Sequence, residues 1–170
     1  MKLGKRWSSL AAVLLLCLTL LAACKPRYQA QVQDPRATIA ADAPQVLDFD
    51  QIHNDIVERY SDNEAYGFIK NMDISGSNDA PKTIRISMDC VEEVSDEALD
   101  IFMSLLLQSI SEEAIVQDSR YTGPTEDSFG SVYDSYDIQY RISRGDTVYQ
   151  DTVISAGENI PFPAGVSLEG

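Results

Sequence analysis

The chain has 170 residues, with 13 Lys and Arg against 27 Asp and Glu, a formal net charge of −14 at pH 7. That length suits one domain with a full core. The charge makes nucleic acid a poor partner, because phosphate binding needs clustered Lys and Arg; a basic protein, a cation or simple solubility fits better.

The chain opens with Lys2, Lys5 and Arg6, followed by an uncharged run from Leu10 to Ala23; the first acid is Asp34. A basic start, a short apolar run and small residues at its end form the layout of a secretory signal. The run is shorter than the roughly 20 apolar residues that span a bilayer. Leu21-Ala22-Ala23-Cys24 resembles the lipobox of bacterial lipoproteins, whose pattern is Leu, then Ala or Ser, then Gly or Ala, then Cys. The resemblance covers residues 1–24 only. It implies cleavage before Cys24 and a diacylglyceryl group on the Cys24 sulfur. The product would be held on the extracytoplasmic face of a cell membrane without spanning it, since two acyl chains anchor stably where one is marginal.

Residues 1–23 then form the signal peptide. Removing them from 170 leaves 147 residues with 10 basic and 27 acidic side chains, a formal −17. With Cys17 removed and Cys24 lipidated, Cys90 has no cysteine left to pair with, and no intramolecular disulfide is expected. Cys90 lies on an apolar alternation and reads as a small core hydrophobe. Residues 24–46 combine the lipidated Cys24 with a flexible tether containing three prolines. Lys25 and Arg27 lie beside the lipid, while residues 47–170 carry 7 basic and 25 acidic side chains.

A helix is expected from about Asp48 to Tyr60, with Phe49, Ile52, Ile56, Val57 and Tyr60 on one arc. Asp48 suits the N-cap, with Gln51 completing a capping-box-like pair. His53 lies within the apolar arc and reads as a packing residue. A hairpin should follow. Tyr66 to Ile74 alternates loosely, residues 75–81 read as a turn, and Thr83 to Cys90 alternates cleanly. Ser95 caps a long helix to Gln117, with Asp96 and Glu97 at the positive end of its dipole. Its middle is apolar over most of its circumference, which implies a central helix covered on more than one side. Val132 to Ile142 and Thr147 to Ile154 form a second hairpin around Gly145-Asp146, expected as a type II′ turn. In the simplest register Tyr149 faces Ile142 and Val153 faces Ile138, which puts Asp151 on the inner face. The domain therefore spans 47–155, followed by an irregular tail over 156–170. The order αββαββ implies a single α+β domain, with an antiparallel-rich sheet and helices packed on one face.

No catalytic or metal-binding motif emerges. Nucleophile-elbow, Cys–His, HExxH, P-loop and nucleotide-binding glycine patterns are absent from the sequence. Arg144-Gly145-Asp146 reads as turn chemistry before adhesion. Asp73, Ser75, Ser77 and Asp79 fail the EF-hand pattern at Asn78 and Ile84. Glu92, Glu93, Asp96, Glu97 and Asp100 gather at a strand-to-helix corner and form the candidate docking patch for a basic envelope protein. The expected function is a lipid-anchored cell-envelope protein that binds or assists another envelope component, with no catalysis and no cofactor. The alternative is a carboxylate-dependent extracytoplasmic hydrolase.

Overall fold

The computed structural model describes residues 42–61 and 63–166. The segment expected as a signal peptide, Cys24 and most of the expected tether lie outside the described residues. The domain contains helix α1 (Phe49–Ser61), strands β1 (Ile69–Ser77) and β2 (Thr83–Cys90), helix α2 (Asp96–Gln117), and strands β3 (Asp137–Arg144) and β4 (Thr147–Ile154). Short 3₁₀ turns at Glu64–Tyr66 and Ser131–Asp134 precede β1 and β3. The fold is α+β in the expected order αββαββ.

The four strands form one sheet in the order β1-β2-β3-β4. Both hairpins are antiparallel, and the central β2–β3 pairing is parallel. A parallel pair cannot be joined by a tight turn, so the chain needs a long crossover, and α2 with the 118–136 connection supplies it. The sheet is mixed for this reason.

One face of the sheet is apolar. Met72, Ile74, Ile84, Ile86, Met88, Ile138, Tyr140 and Ile142 are buried there, in one core with Ile52 and Ile56 of α1 and Leu99, Phe102, Met103, Leu106 and Ile110 of α2. On the other face Asp73, Arg85, Ser87, Arg141, Asp151 and Val153 are exposed. This is the alternation of an antiparallel-type sheet with one wet side. The long helix is central, as its width of apolar residues implies. Besides its sheet-facing side, Tyr60 of α1 bonds Ser109 at 2.8 Å, and the Tyr133 hydroxyl donates to the Leu107 carbonyl at 2.6 Å.

Three local expectations change. First, β1 runs through Ser75, Gly76 and Ser77, so the turn is shorter than the composition implied. Pairing with Thr83, Ile84 and Arg85 holds these residues in the ladder. Gly76 is needed there, because a Cβ would overlap the Phe49 ring and come within 2.5 Å of the Thr83 carbonyl oxygen.

Second, the β3–β4 register slips between Ile142 and Ser143. Gln150 faces Ile142, Ile154 faces Ile138, and Asp151 lies opposite Arg141 on the wet face. The bulge takes up Tyr149 as an extra residue and so removes the buried acid of the simple register. Gly145 has φ +52°, and no non-glycine residue among those described has positive φ, which agrees with the expected type II′ turn.

Third, Gln51 does not complete the α1 cap. Asp48 Oδ1 accepts from Gln51 N at 3.0 Å, but the Asp48 N–H donates to Gln117 Oε1 at 2.7 Å. The segment before α1 is gripped along its length. Arg120 bonds the Ala43 carbonyl at 2.7 Å, and Lys82 bonds that of Gln45 at 2.8 Å. Asn78 bonds both the N–H and the C=O of Leu47 at 2.9 Å.

Candidate functional site

The acidic corner forms where β2 ends and α2 begins. Ser95 caps α2, its side chain accepting from Ala98 N at 3.2 Å, so the first turn of the helix points Asp96 and Glu97 outward. Glu92, Glu93, Asp96 and Glu97 are exposed, and Asp100 is half-buried. The tip of the β3–β4 hairpin lies against this corner: Gly145 N donates to the Cys90 carbonyl at 3.1 Å. That contact brings Arg144 and Tyr149 to the helix. Arg144 forms an ion pair with Asp96 and stacks on the Tyr149 ring, its guanidinium carbon 3.8 Å from the ring centroid. Hydrogen bonds from Arg144 first, and Tyr149 second, hold the Asp96 carboxyl below its ordinary range.

The corner is thus divided. Asp96 carries its own counter-charge, while Glu92, Glu93, Glu97 and Asp100 form no ion pair among the described residues. The neutralising pair was missed from sequence because Arg144 lies 48 residues from Asp96, and the motif read there was a turn. That turn uses its arginine internally, which disfavours adhesion through Arg144-Gly145-Asp146.

The other singled-out residues are structural. His53 Nδ1 accepts from Ile74 N at 3.1 Å, closing a donor on the outer edge of β1, with Asp73 at 3.6 Å. Cys90 is 1% exposed, and burial, helped by Asp89, raises its thiol pKa to about 11. Asp73, Ser75 and Ser77 lie along a strand and do not curl around a point. Among the described residues no three His, Cys, Asp or Glu side chains are placed to hold a metal ion.

A second acidic region was not anticipated. Residues 126–134 and the tail segment 158–164 form an open, mostly polar pocket of about 290 Å³, lined by Glu126, Asp127, Asp134, Glu158, Phe129 and Phe162 among others. Phe129 and Tyr133 meet edge to face at 6.4 Å, and Phe162 packs on Tyr140 at 5.7 Å. The tail is therefore irregular in backbone and packed in place, with Gln108 bonding the carbonyls of Ala164 and Val166. The lone signal in sequence was the aromatics of two irregular segments, Phe129 and Tyr133 around Gly130, and Phe162 between Pro161 and Pro163.

Compared with models of known protein families, with curated proteins and with solved structures, the chain matches none.

Proposed function

We infer that the protein is a lipid-anchored component of a bacterial cell envelope, whose acidic domain docks a basic partner protein without catalysis. The anchor rests on the lipobox resemblance at Cys24. The docking role rests on one observation: Arg144 neutralises Asp96 alone and leaves Glu92, Glu93 and Glu97 exposed without counter-charge around it. Fixed exposed charges of one sign speed diffusional encounter with an oppositely charged surface and lose strength with salt. The Arg144–Tyr149 stack holds the hairpin tip against the helix, so the charges are presented from a rigid base. Among the described residues the acids with shifted titration, Asp96 and Asp118, are both lowered, chiefly by hydrogen bonds from arginine. A general-acid carboxyl needs the opposite shift, so nothing here favours the hydrolase alternative.

The test uses the anchored chain in its own membrane. A photo-crosslinking residue at Glu93 should capture a basic envelope protein in a salt-sensitive manner, and one at Ser87 on the wet sheet face should not. Equal capture at both positions would reject the corner as the docking surface. Mass spectrometry of the mature chain tests the anchor independently: an unmodified Cys24 at the N-terminus would end the lipoprotein reading.

A further inference from the structure

An edge strand presents a row of backbone N–H and C=O groups that another chain can pair with. The two edges of this sheet differ. β1 is closed by α1: His53 Nδ1 accepts the Ile74 N–H at 3.1 Å, and the Phe49 ring lies against Gly76. β4 is the opposite edge, and among the described residues its backbone makes no hydrogen bond outside its pairing with β3. The chain turns away after Ile154. Gly157 N donates to the Tyr133 carbonyl at 2.9 Å, and Phe162 packs on Tyr140 of β3, so the tail returns to the apolar side of the sheet and adds no fifth strand.

We propose that β4 is a docking edge for an extended basic segment of the partner protein, which joins the sheet as a fifth strand along Gln150–Ile154. The inference rests on the docking reading above for there being a basic partner. The stretch is regular: Gln150 to Ile154 pair one for one with Ile142 to Ile138, and the bulge at Tyr149 distorts only the end beside the hairpin tip. Directly opposed residues share a face, so Asp151 and Val153 stand with Arg141 and Gln139 on the wet side. Val153 is 60% exposed and Val148 43%, two of the four large apolar side chains exposed among the described residues. Half of that exposed apolar surface therefore stands on this one strand, where a neighbouring strand would cover it.

Charge selects the occupant. Asp151 is exposed, and although it stands opposite Arg141 no ion pair joins them. Glu92 lies at the hairpin tip where β4 begins, its Cβ 3.8 Å from where a side chain at Gly145 would start. Glu158 lies where β4 ends, its Oε2 accepting from Ser155 N at 3.0 Å. A second copy would bring Asp151 towards its own counterpart and set edge to edge two domains whose residues 47–170 each carry 7 basic and 25 acidic side chains. Like charges on facing strands are unfavourable. A basic strand meets the opposite balance, with a Lys or Arg beside Asp151 and an apolar residue two positions away beside Val153. Main-chain bonds then supply the affinity, and those two positions supply the selectivity.

The probe is the peptide acetyl-Thr-Lys-Thr-Val-Thr-Lys-amide, titrated into the full chain in detergent at about 0.15 M salt, where exposed charges are screened beyond about 8 Å. Two controls accompany it: the same peptide with its backbone N-methylated, which keeps the charge and loses the donors, and the version with Glu in place of Lys. Amide resonances and hydrogen exchange of Gln150–Ile154 would report pairing. The basic peptide should shift these resonances and slow exchange at alternate residues, the pattern of a new ladder, and neither control should do so. Asp151→Lys and Val153→Lys alter exposed side chains, so the fold should persist, which circular dichroism would verify. Each should weaken binding by about tenfold. The corner variant E92Q/E93Q/E97Q should bind the peptide as the natural chain does, because the peptide spans β4 alone. No slowed exchange with the basic peptide, an equal effect of the N-methylated one, or full binding by both lysine variants overturns the proposal. Slow exchange at alternate residues before any peptide is added overturns it too: dependence on protein concentration would assign the edge to a second copy, and independence to another part of this chain. Failure at β4 with salt-sensitive crosslinking intact at Glu93 leaves the corner reading standing. Peptide pairing on β4 with equal crosslinking at Glu93 and Ser87 supports the fifth strand and removes the corner alone.

Discussion

The side-chain amide of Gln117, the last residue of α2, bonds both backbone groups of Asp48, the residue before α1: Oε1 accepts from Asp48 N at 2.7 Å, and Nε2 donates to Asp48 O at 3.1 Å. The pair spans 69 positions of sequence. It joins the end of one helix to the start of the other, and it supplies the capping partner that Gln51 does not. Asn78 repeats the arrangement one residue earlier, on Leu47. Two amides thus treat residues 47–48 as a short paired strand.

Gln117→Ala removes both bonds at a partly exposed place. A net loss of about 1 kcal/mol is expected, since each bond replaces one to water. For a domain of this size that is a fall of roughly 3–5 °C in Tm. Gln117→Glu keeps the acceptor and loses the donor, and should fall between. An unchanged melting temperature in the alanine variant would show that water replaces the amide without cost.

Gly76→Ala should destabilise the domain by about 1–3 kcal/mol, as overpacking does in a formed core. The new methyl group meets the Phe49 ring and the Thr83 carbonyl. The cost should shrink in a Phe49→Ala background, because the side chain is the movable obstacle. Equal cost in both backgrounds, measured by denaturant unfolding, would assign the strain to the backbone carbonyl.

The corner makes a pH prediction. The folded Asp96 carboxyl titrates below its ordinary value, chiefly through its bond to Arg144. The pair therefore stabilises the fold fully above the ordinary carboxylate range, and that contribution is lost as pH falls through the lowered value. Arg144→Gln should move the Asp96 titration back up, which carboxyl-carbon NMR can follow. It should also add one unit of negative charge to the corner and speed association with a basic partner at low salt. An unmoved Asp96 midpoint would mean that the ion pair does not persist in solution.

Cys90 should be inert in the native state. It is 1% exposed and its thiol pKa stands at about 11, so little thiolate is present near neutral pH. Iodoacetamide at pH 8 should label it only after unfolding. Labelling of the folded chain at the rate of a free thiol would place the side chain at the surface and contradict the packing of β2.

The sequence alone determined the elements whose chemistry is local. α2 could be read from Ser95, its acidic first turn and its broad apolar surface, because capping and amphipathicity are written in neighbouring residues. β2 and β3 could be read from strict alternation. The concentration of acids at residues 92–100 needed only counting. What depends on distant partners was left to the tertiary structure. Two well-formed hairpins do not say whether their inner strands meet parallel or antiparallel; packing of α2 across the sheet decided that. The bulge at Tyr149 cannot be counted from β4, because its cause is the need to keep Asp151 off the apolar face and Ile154 on it. Arg144 reaches Asp96, and Gln117 reaches Asp48, only once the chain has folded back on itself. The pocket joins two segments that lack regular periodicity. The pairing of Phe129 from one loop with Phe162 from the tail has no sequence signature, because Phe129 packs on Tyr133 of its own loop and Phe162 on Tyr140 of β3, and only the fold brings the two segments together.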